Sequence, residues 1–223
     1  MFDPQKLLGQ VLGGGLGDKS GLSPDLLKGL AGGAAVGGLA GILLGSKSSK
    51  KLAKSALKVG GTAALAGLAY KAYQTWQANQ QGGSSVATPP ADATGTLFLP
   101  SAAKAQDDLS LALLRAMISA AKADGHIDAA EQKAIFAKLD GLDLDMEAKA
   151  FVIDEMRKPL NIDSVVADAT TTERAVEIYT ASVLAIDPDD PAEQAYLAML
   201  AARLKLAPGL KTTIEQEAAK AWS

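Results

Sequence analysis

The chain has no cysteine and a single histidine, His126, in 223 residues. The first absence excludes thiol nucleophiles, cysteine-ligated zinc and iron–sulfur clusters. The second leaves a Ser-His-Asp relay or a three-histidine zinc site without its ordinary parts. Aromatic residues make up only 4% against 48% hydrophobic, so the apolar surface is largely Ala, Leu, Gly, Val and Ile. Arginine is missing from the first 81 residues altogether. Most familiar catalytic plans are therefore not expected, nor is a disulfide scaffold or a disordered acidic chain.

The charge that is present is unevenly placed. Residues 1–81 carry 9 Lys against 3 Asp, a net +6, and residues 82–223 carry 13 Lys and Arg against 22 Asp and Glu, a net −9. Glycine divides the same way, 16 before residue 82 and 6 after. Two physically different parts share one chain. The basic part suits an anionic lipid surface. It lacks arginine and has no aromatics interleaved with its lysines, so no nucleic-acid partner is expected.

Residues 1–25 read as a short amphipathic start, with Leu7, Leu8, Val11 and Leu12 on one helical face, followed by the helix-stopping Gly13-Gly14-Gly15. The first apolar run lacks a basic flank and a small-residue cleavage site, so no secretory leader is expected. Residues 26–76 form a Gly/Ala-rich region with the character of a membrane anchor. Its core, LLKGLAGGAAVGGLAGILLG (26–45), has one charge, Lys28, in 20 residues. As a helix it would reach ~30 Å, about the hydrocarbon thickness of a bilayer. Gly29, Gly33, Gly37, Gly41 and Gly45 recur every four residues, a small-residue stripe suited to self-association or to packing on another membrane protein's helix. A Lys-rich loop (46–58) suits a cytoplasmic membrane surface. A second small-residue segment, 59–70, could complete a hairpin with Tyr70, Tyr73 and Trp76 at the interface, so one span and two both stay open. A flexible Gly/Ala tether on a soluble protein is the alternative reading of this half.

Residues 77–101 read as a Gln/Gly/Ser/Thr/Pro linker. From 102 to 223 the periodicity predicts an all-α acidic bundle of about seven helices, near 104–122, 129–138, 144–157, 161–168, 172–186, 191–205 and 208–221. Thr170 with Glu173 is expected to cap the fifth, and Pro208 to open the last.

One constellation recurs inside this bundle. Asp124, Asp128 and Glu131 follow one apolar helix, and Asp187, Asp190 and Glu193 follow another, the Asp-x-x-Glu part repeating at an offset of 62. The pattern indicates a duplicated helix–loop–helix unit. Capping accounts for Asp128, Glu131, Asp190 and Glu193. It does not account for Asp124, Asp187 and Asp189, whose repulsion a hard divalent cation, Ca²⁺ or Mg²⁺, would relieve if the turns face each other. The 12-residue ligand series of an EF-hand is missing. His126 reads as a turn residue, and Tyr179 and Tyr196 as core residues with a polar tip.

KADGHIDAAE (122–131) and AIDPDDPAEQAYLAML (185–200), behind a Gly-rich segment, resemble the YebE-like family: bacterial inner-membrane proteins of unknown function with a C-terminal domain similar to the tellurite-resistance protein TerB. The resemblance implies a TerB-like domain of two related helix–loop–helix halves and a divalent-metal site on Asp124, Asp128, Glu131, Asp187, Asp190 and Glu193. It implies no enzymatic activity. The expectation is thus a membrane-anchored, non-catalytic interaction module of the bacterial inner membrane, its acidic domain presented to a protein partner. A soluble metal-binding stress-response protein with a Gly-rich tether and a carboxylate-based metal-dependent hydrolase are the competing readings.

Overall fold

The computed structural model describes residues 2–12, 61–80, 93–123, 136, 139, 144–186 and 190–222. The glycine stripe, the Lys-rich loop, Asp124, Asp128, Glu131 and Asp187 lie outside the described residues. Within them the chain is all-helical, with eight helices and no strand beyond a single bridge between Thr94 and Leu99. These are α1 (Pro4–Leu12), α2 (Gly61–Gln80), α3 (Ala103–Ala120), α4 (Met146–Arg157), α5 (Ile162–Ala167), α6 (Thr172–Leu184), α7 (Pro191–Arg203) and α8 (Pro208–Trp222).

The starts of these helices have local causes. Asp145 Oδ1 accepts from the Ala148 amide at 2.8 Å to cap α4, and Asn161 Oδ1 accepts from Asp163 N at 2.9 Å to cap α5. Thr171 Oγ1 caps α6 by accepting from Arg174 N at 3.1 Å. The cap is therefore one residue later than the expected Thr170, because Thr171 holds the extended backbone (φ −135°, ψ 166°) that a cap needs. Pro208 does open the last helix, where its missing amide costs nothing.

α6 is the centre of the bundle. It packs on α2, α3, α7 and α8, and it is buried on every side, from Ala175 through Ser182 and at Leu184. A helix buried all round needs partners all round. Leu109, Leu113, Leu114 and Met117 of α3 and Leu65, Ala66, Ala69 and Ala72 of α2 help supply them. The amphipathic start behaves as its periodicity predicts: Leu7, Leu8, Val11 and Leu12 are buried as α1 lies on α2 and α3.

The boundary at residue 76 falls inside α2, which packs on α1, α6 and α8. Tyr70, Tyr73 and Trp76, for which a membrane interface was one open possibility, form an aromatic cluster with Phe98. Tyr70 and Tyr73 stand 5.4 and 5.5 Å from the Phe98 ring, and Tyr73 is 5.6 Å from Trp76. Phe98 comes from the segment read as linker, which also buries Ala93 and Leu99. Its turn depends on Gly95, at φ +75°, whose amide donates to Leu99 O at 2.9 Å. No helix among the described residues is long and apolar enough to cross a membrane.

Charged groups tie the periphery together. Arg115 of α3 reaches Glu155 of α4 at 3.6 Å and Asp168 after α5 at 3.4 Å, and its guanidinium lies 5.9 Å from the centre of the Phe151 ring. Lys71 of α2 meets Glu217 of α8 at 2.8 Å, and Lys220 donates to the same carboxylate at 2.6 Å. The two ammonium groups, Lys220 first, hold Glu217 below the usual carboxylate range. Inside, Ser110 Oγ donates to Gln106 O at 2.7 Å, which leaves Thr62 Oγ1 to donate to Ser110 across 2.6 Å. That bond fastens α2 to α3.

Candidate functional site

Asp190 and Glu193 are the two described members of the acidic set. Asp190 Oδ1 accepts from Ala192 N at 2.8 Å and Glu193 N at 3.1 Å, capping α7, with Pro191 in the first turn. This is the capping half of the sequence reading. Two amides on one oxygen fix the carboxylate and leave Oδ2 without a described hydrogen bond. A single oriented carboxylate oxygen is chemically suited to a hard cation. Glu193, at N3, is buried at 6% exposure. Among the described residues no group of three or more His, Cys, Asp or Glu could hold a metal ion.

Immediately beside this turn in the chain, Ile186 and Gln194 line a groove of about 660 Å³ between α7 and α8, floored by Val183 and Ile186. Leu197 and Ala198 form one wall and Ala218 and Ala219 the other. A volume of this size, apolar with a few convergent polar groups, is the usual form of a ligand site. The polar end is positioned by two helices, α6 and α8. Tyr179 of α6 donates its hydroxyl to Glu215 Oε1 at 2.7 Å, and Lys211 Nζ, one turn earlier on α8, donates to the same oxygen at 2.8 Å. Burial, then the bond to Glu215, pushes the Tyr179 phenol well above its ordinary value, so it remains a proton donor in this network.

A second cavity, about 560 Å³, lies between Trp76, the α5–α6 connection and the α7–α8 connection. Two of its polar groups are already engaged in structure: Arg203 is ion-paired with Asp163, and Thr171 caps α6.

Three buried polar groups lie away from both cavities' chemistry. Lys122 donates to the Glu155 carbonyl at 3.4 Å and to the Lys158 carbonyl, closing the C-terminal end of α4; burial pulls its pKa down, against the pull of Glu155. Glu177 sits in the middle of α6 with neither carboxylate oxygen hydrogen-bonded. Tyr196 of α7 is 3% exposed and its hydroxyl has no hydrogen-bond partner, with burial raising its pKa. Because nothing is left unpaired when that hydroxyl goes, Tyr196→Phe is expected to be neutral or to stabilise by up to about 1–2 kcal/mol. A loss above about 1 kcal/mol in chemical denaturation would show that the hydroxyl has a partner in solution.

Against this geometry stand the comparisons with known proteins. The profile of the family described as "Protein of unknown function (DUF533)" matches residues 29–218. The chain belongs to the DUF533 family. An uncharacterized protein in the ampR 5' region of Yersinia enterocolitica is 30% identical to this DUF533 chain over 105 residues, covering 47% of the chain and 76% of that protein. No solved structure matches it.

The groove residues were not visible in the DUF533 sequence as a site. Lys211 and Glu215, four residues apart on α8, carry the spacing of any helix ion pair and no signal of a cavity. The one local signal was Tyr179, which the sequence assigned to the core with a polar tip.

Proposed function

We propose that this chain is a non-catalytic, membrane-anchored interaction module. The apolar segment 26–45, with its stripe Gly29, Gly33, Gly37, Gly41 and Gly45, is the anchor in a bacterial inner membrane, and the acidic bundle is the part offered to a partner. The observation that carries the reading is the charge division, +6 before residue 82 and −9 after it. A basic, apolar half next to an acidic helical half is the arrangement that lipid on one side and a soluble partner on the other would require. The finer family reading, a YebE-like protein with a TerB-like bundle, draws support from the repeated acidic turns, the all-helical fold and membership of DUF533.

In this proposal Asp124, Asp128 and Glu131 of one turn and Asp187, Asp190 and Glu193 of the other hold a Ca²⁺ or Mg²⁺ ion. Such an ion would neutralise the two turns and stiffen the surface they form. Asp190 contributes by presenting Oδ2 while its Oδ1 is held by α7.

Two measurements test the proposal. Titrating Ca²⁺, Mg²⁺ and Mn²⁺ into the full chain is expected to raise its melting temperature, since an ion that binds only the folded state must stabilise it. The increase should be lost in an Asp128→Asn/Asp190→Asn double variant. No shift at millimolar ion removes the cation site. Carbonate washing of membranes is expected to leave the chain in the pellet, and recovery in the supernatant removes the anchor.

A further inference from the structure

We infer that the groove between α7 and α8 binds a single-chain amphiphile with an uncharged, hydroxyl-bearing head group, of the monoacylglycerol type. The inference does not depend on the cation site or on the anchor. Two features of the groove carry it, its apolar walls and its polar end, and the second selects among head groups.

The walls come first. Val183, Ile186, Leu197, Ala198 and the α8 pair Ala218 and Ala219 give an apolar channel of about 660 Å³, within the range of small-ligand sites. The alanines on both walls leave room that larger side chains would fill. Ala198 and Ala219 are exposed at the rim, whereas Ile186 and Ala218 are buried at 2% and 1% exposure. An apolar tail laid in the channel would cover the exposed Ala198 and Ala219 and the half-buried Val183, and the gain scales with the area covered.

The polar end decides the head. Glu215 Oε1 is saturated by Tyr179 and Lys211. Its Oε2 has no hydrogen-bond partner among the described residues and is an open acceptor. Lys211 uses one N–H on Glu215, so two donors remain. Both side chains are 34% exposed, within reach of the groove and of water. The pair therefore offers one acceptor and two donors with no net charge.

A hydroxyl answers both, donating to Oε2 and accepting from Lys211. A carboxylate head would be drawn to Lys211 but set against Glu215 next to it. It would also enter a part of the chain that carries a net −9. A quaternary ammonium would be attracted to Glu215 yet has no proton to donate and no lone pair for Lys211. The neutral hydroxylic head is the one whose hydrogen bonds are all met without an unpaired charge.

The test is photolabelling of the purified full chain with three twelve-carbon probes, each bearing a diazirine in its tail: a monoacylglycerol, a fatty acid and an alkyltrimethylammonium. Peptide mapping is expected to place monoacylglycerol label on the segments containing Leu197–Ala198 and Ala218–Ala219, with at least about tenfold less label there from either charged probe. Ala198→Trp fills the groove from an exposed position and is expected to abolish the label; Ala219→Trp serves the same purpose from the opposite wall if the first variant unfolds. Glu215→Gln removes the negative charge and is expected to raise fatty-acid labelling toward that of the monoacylglycerol. Label spread over the other helices, or unchanged by both tryptophans, overturns the site. Stronger groove labelling by the fatty acid or the ammonium probe overturns the head-group assignment.

Discussion

Replacing Glu177 is expected to make the protein more stable at pH 8, with a difference that shrinks as the pH is lowered to 4.5. The side chain is fully buried in the middle of the central helix. Neither oxygen is hydrogen-bonded, and the nearest cation, Arg174 Nε, is 3.6 Å from Oε2, too far to donate. Burial pushes the carboxyl up to about 9; Arg174 opposes the shift and Glu173 adds to it. The sign follows from linkage. An unfolded chain releases this proton near the ordinary glutamate value of 4.5 while the folded chain keeps it to about 9. Stability is therefore greatest at low pH, falls through the window between those values, and levels off above it.

The slope reaches about 1.36 kcal/mol per pH unit, so ionisation in the unfolded state costs about 3 kcal/mol by pH 7. Glu177→Gln removes the proton exchange but still buries an unpaired amide, which costs about 1–3 kcal/mol. Glu177→Leu removes both at similar volume. At pH 8 the expected order of stability is Leu, then Gln, then the natural residue, and denaturant melts from pH 4.5 to 9 measure it. Variants that retain the parent's full pH dependence would show that Glu177 is not the group responsible.

Gly61→Ala is expected to loosen α1 from the bundle, whereas Gly9→Ala, at the facing position, is expected to stabilise. A Cβ at residue 61 would lie 2.6 Å from Gly9 N and 2.7 Å from Gly9 Cα and Leu8 C. All three are backbone atoms, so no side chain can swing aside and the whole of α1 must move. Overpacking costs about 1–3 kcal/mol, and more where the backbone is displaced. Here the displacement also exposes Leu7, Leu8, Val11 and Leu12, each fully or nearly buried and worth about 1.5–3 kcal/mol when wholly covered. A Cβ at residue 9 meets only Gly61 N at an ordinary 3.5 Å. There the better helix propensity of alanine adds up to about 1 kcal/mol. Thermal melts and limited proteolysis within residues 1–12 distinguish the two. Equal effects of the two substitutions would contradict the close approach.

These two predictions lie at opposite ends of what sequence reading could reach. The face shared by Leu7, Leu8, Val11 and Leu12 was legible, because 3.6-residue periodicity is a property of the strand of sequence itself. So were the bounds of α3, α4, α6, α7 and α8 to within two residues or so, and the capping roles of Asp190 and Pro208, which depend on neighbours two or three positions away. The short α5 and the cap at Thr171 were approximated for the same reason, with Thr170 and Thr171 differing only in backbone angles that the residue type does not fix.

Which surfaces meet was decided elsewhere. The alanines and glycines of 59–70 fit a lipid-phase helix pair or a tight contact within a folded bundle equally well, since small residues permit close approach in either solvent. The packing of α2 on α1, α6 and α8 and the cluster of Tyr70, Tyr73 and Trp76 with Phe98 are encounters that local spacing does not encode. Tyr179 was legible as a core residue with a polar tip, whereas nothing in the local sequence singles out Glu177, Lys211 or Glu215. Their burial, their unpaired oxygens and the groove they border arise from helices 30 or more residues apart in the chain, and no local spacing encodes such encounters. Composition and periodicity determined an acidic, thiol-free, all-helical protein with a basic small-residue half; the meeting of distant helix faces determined which of its polar groups are trapped and where a ligand has room.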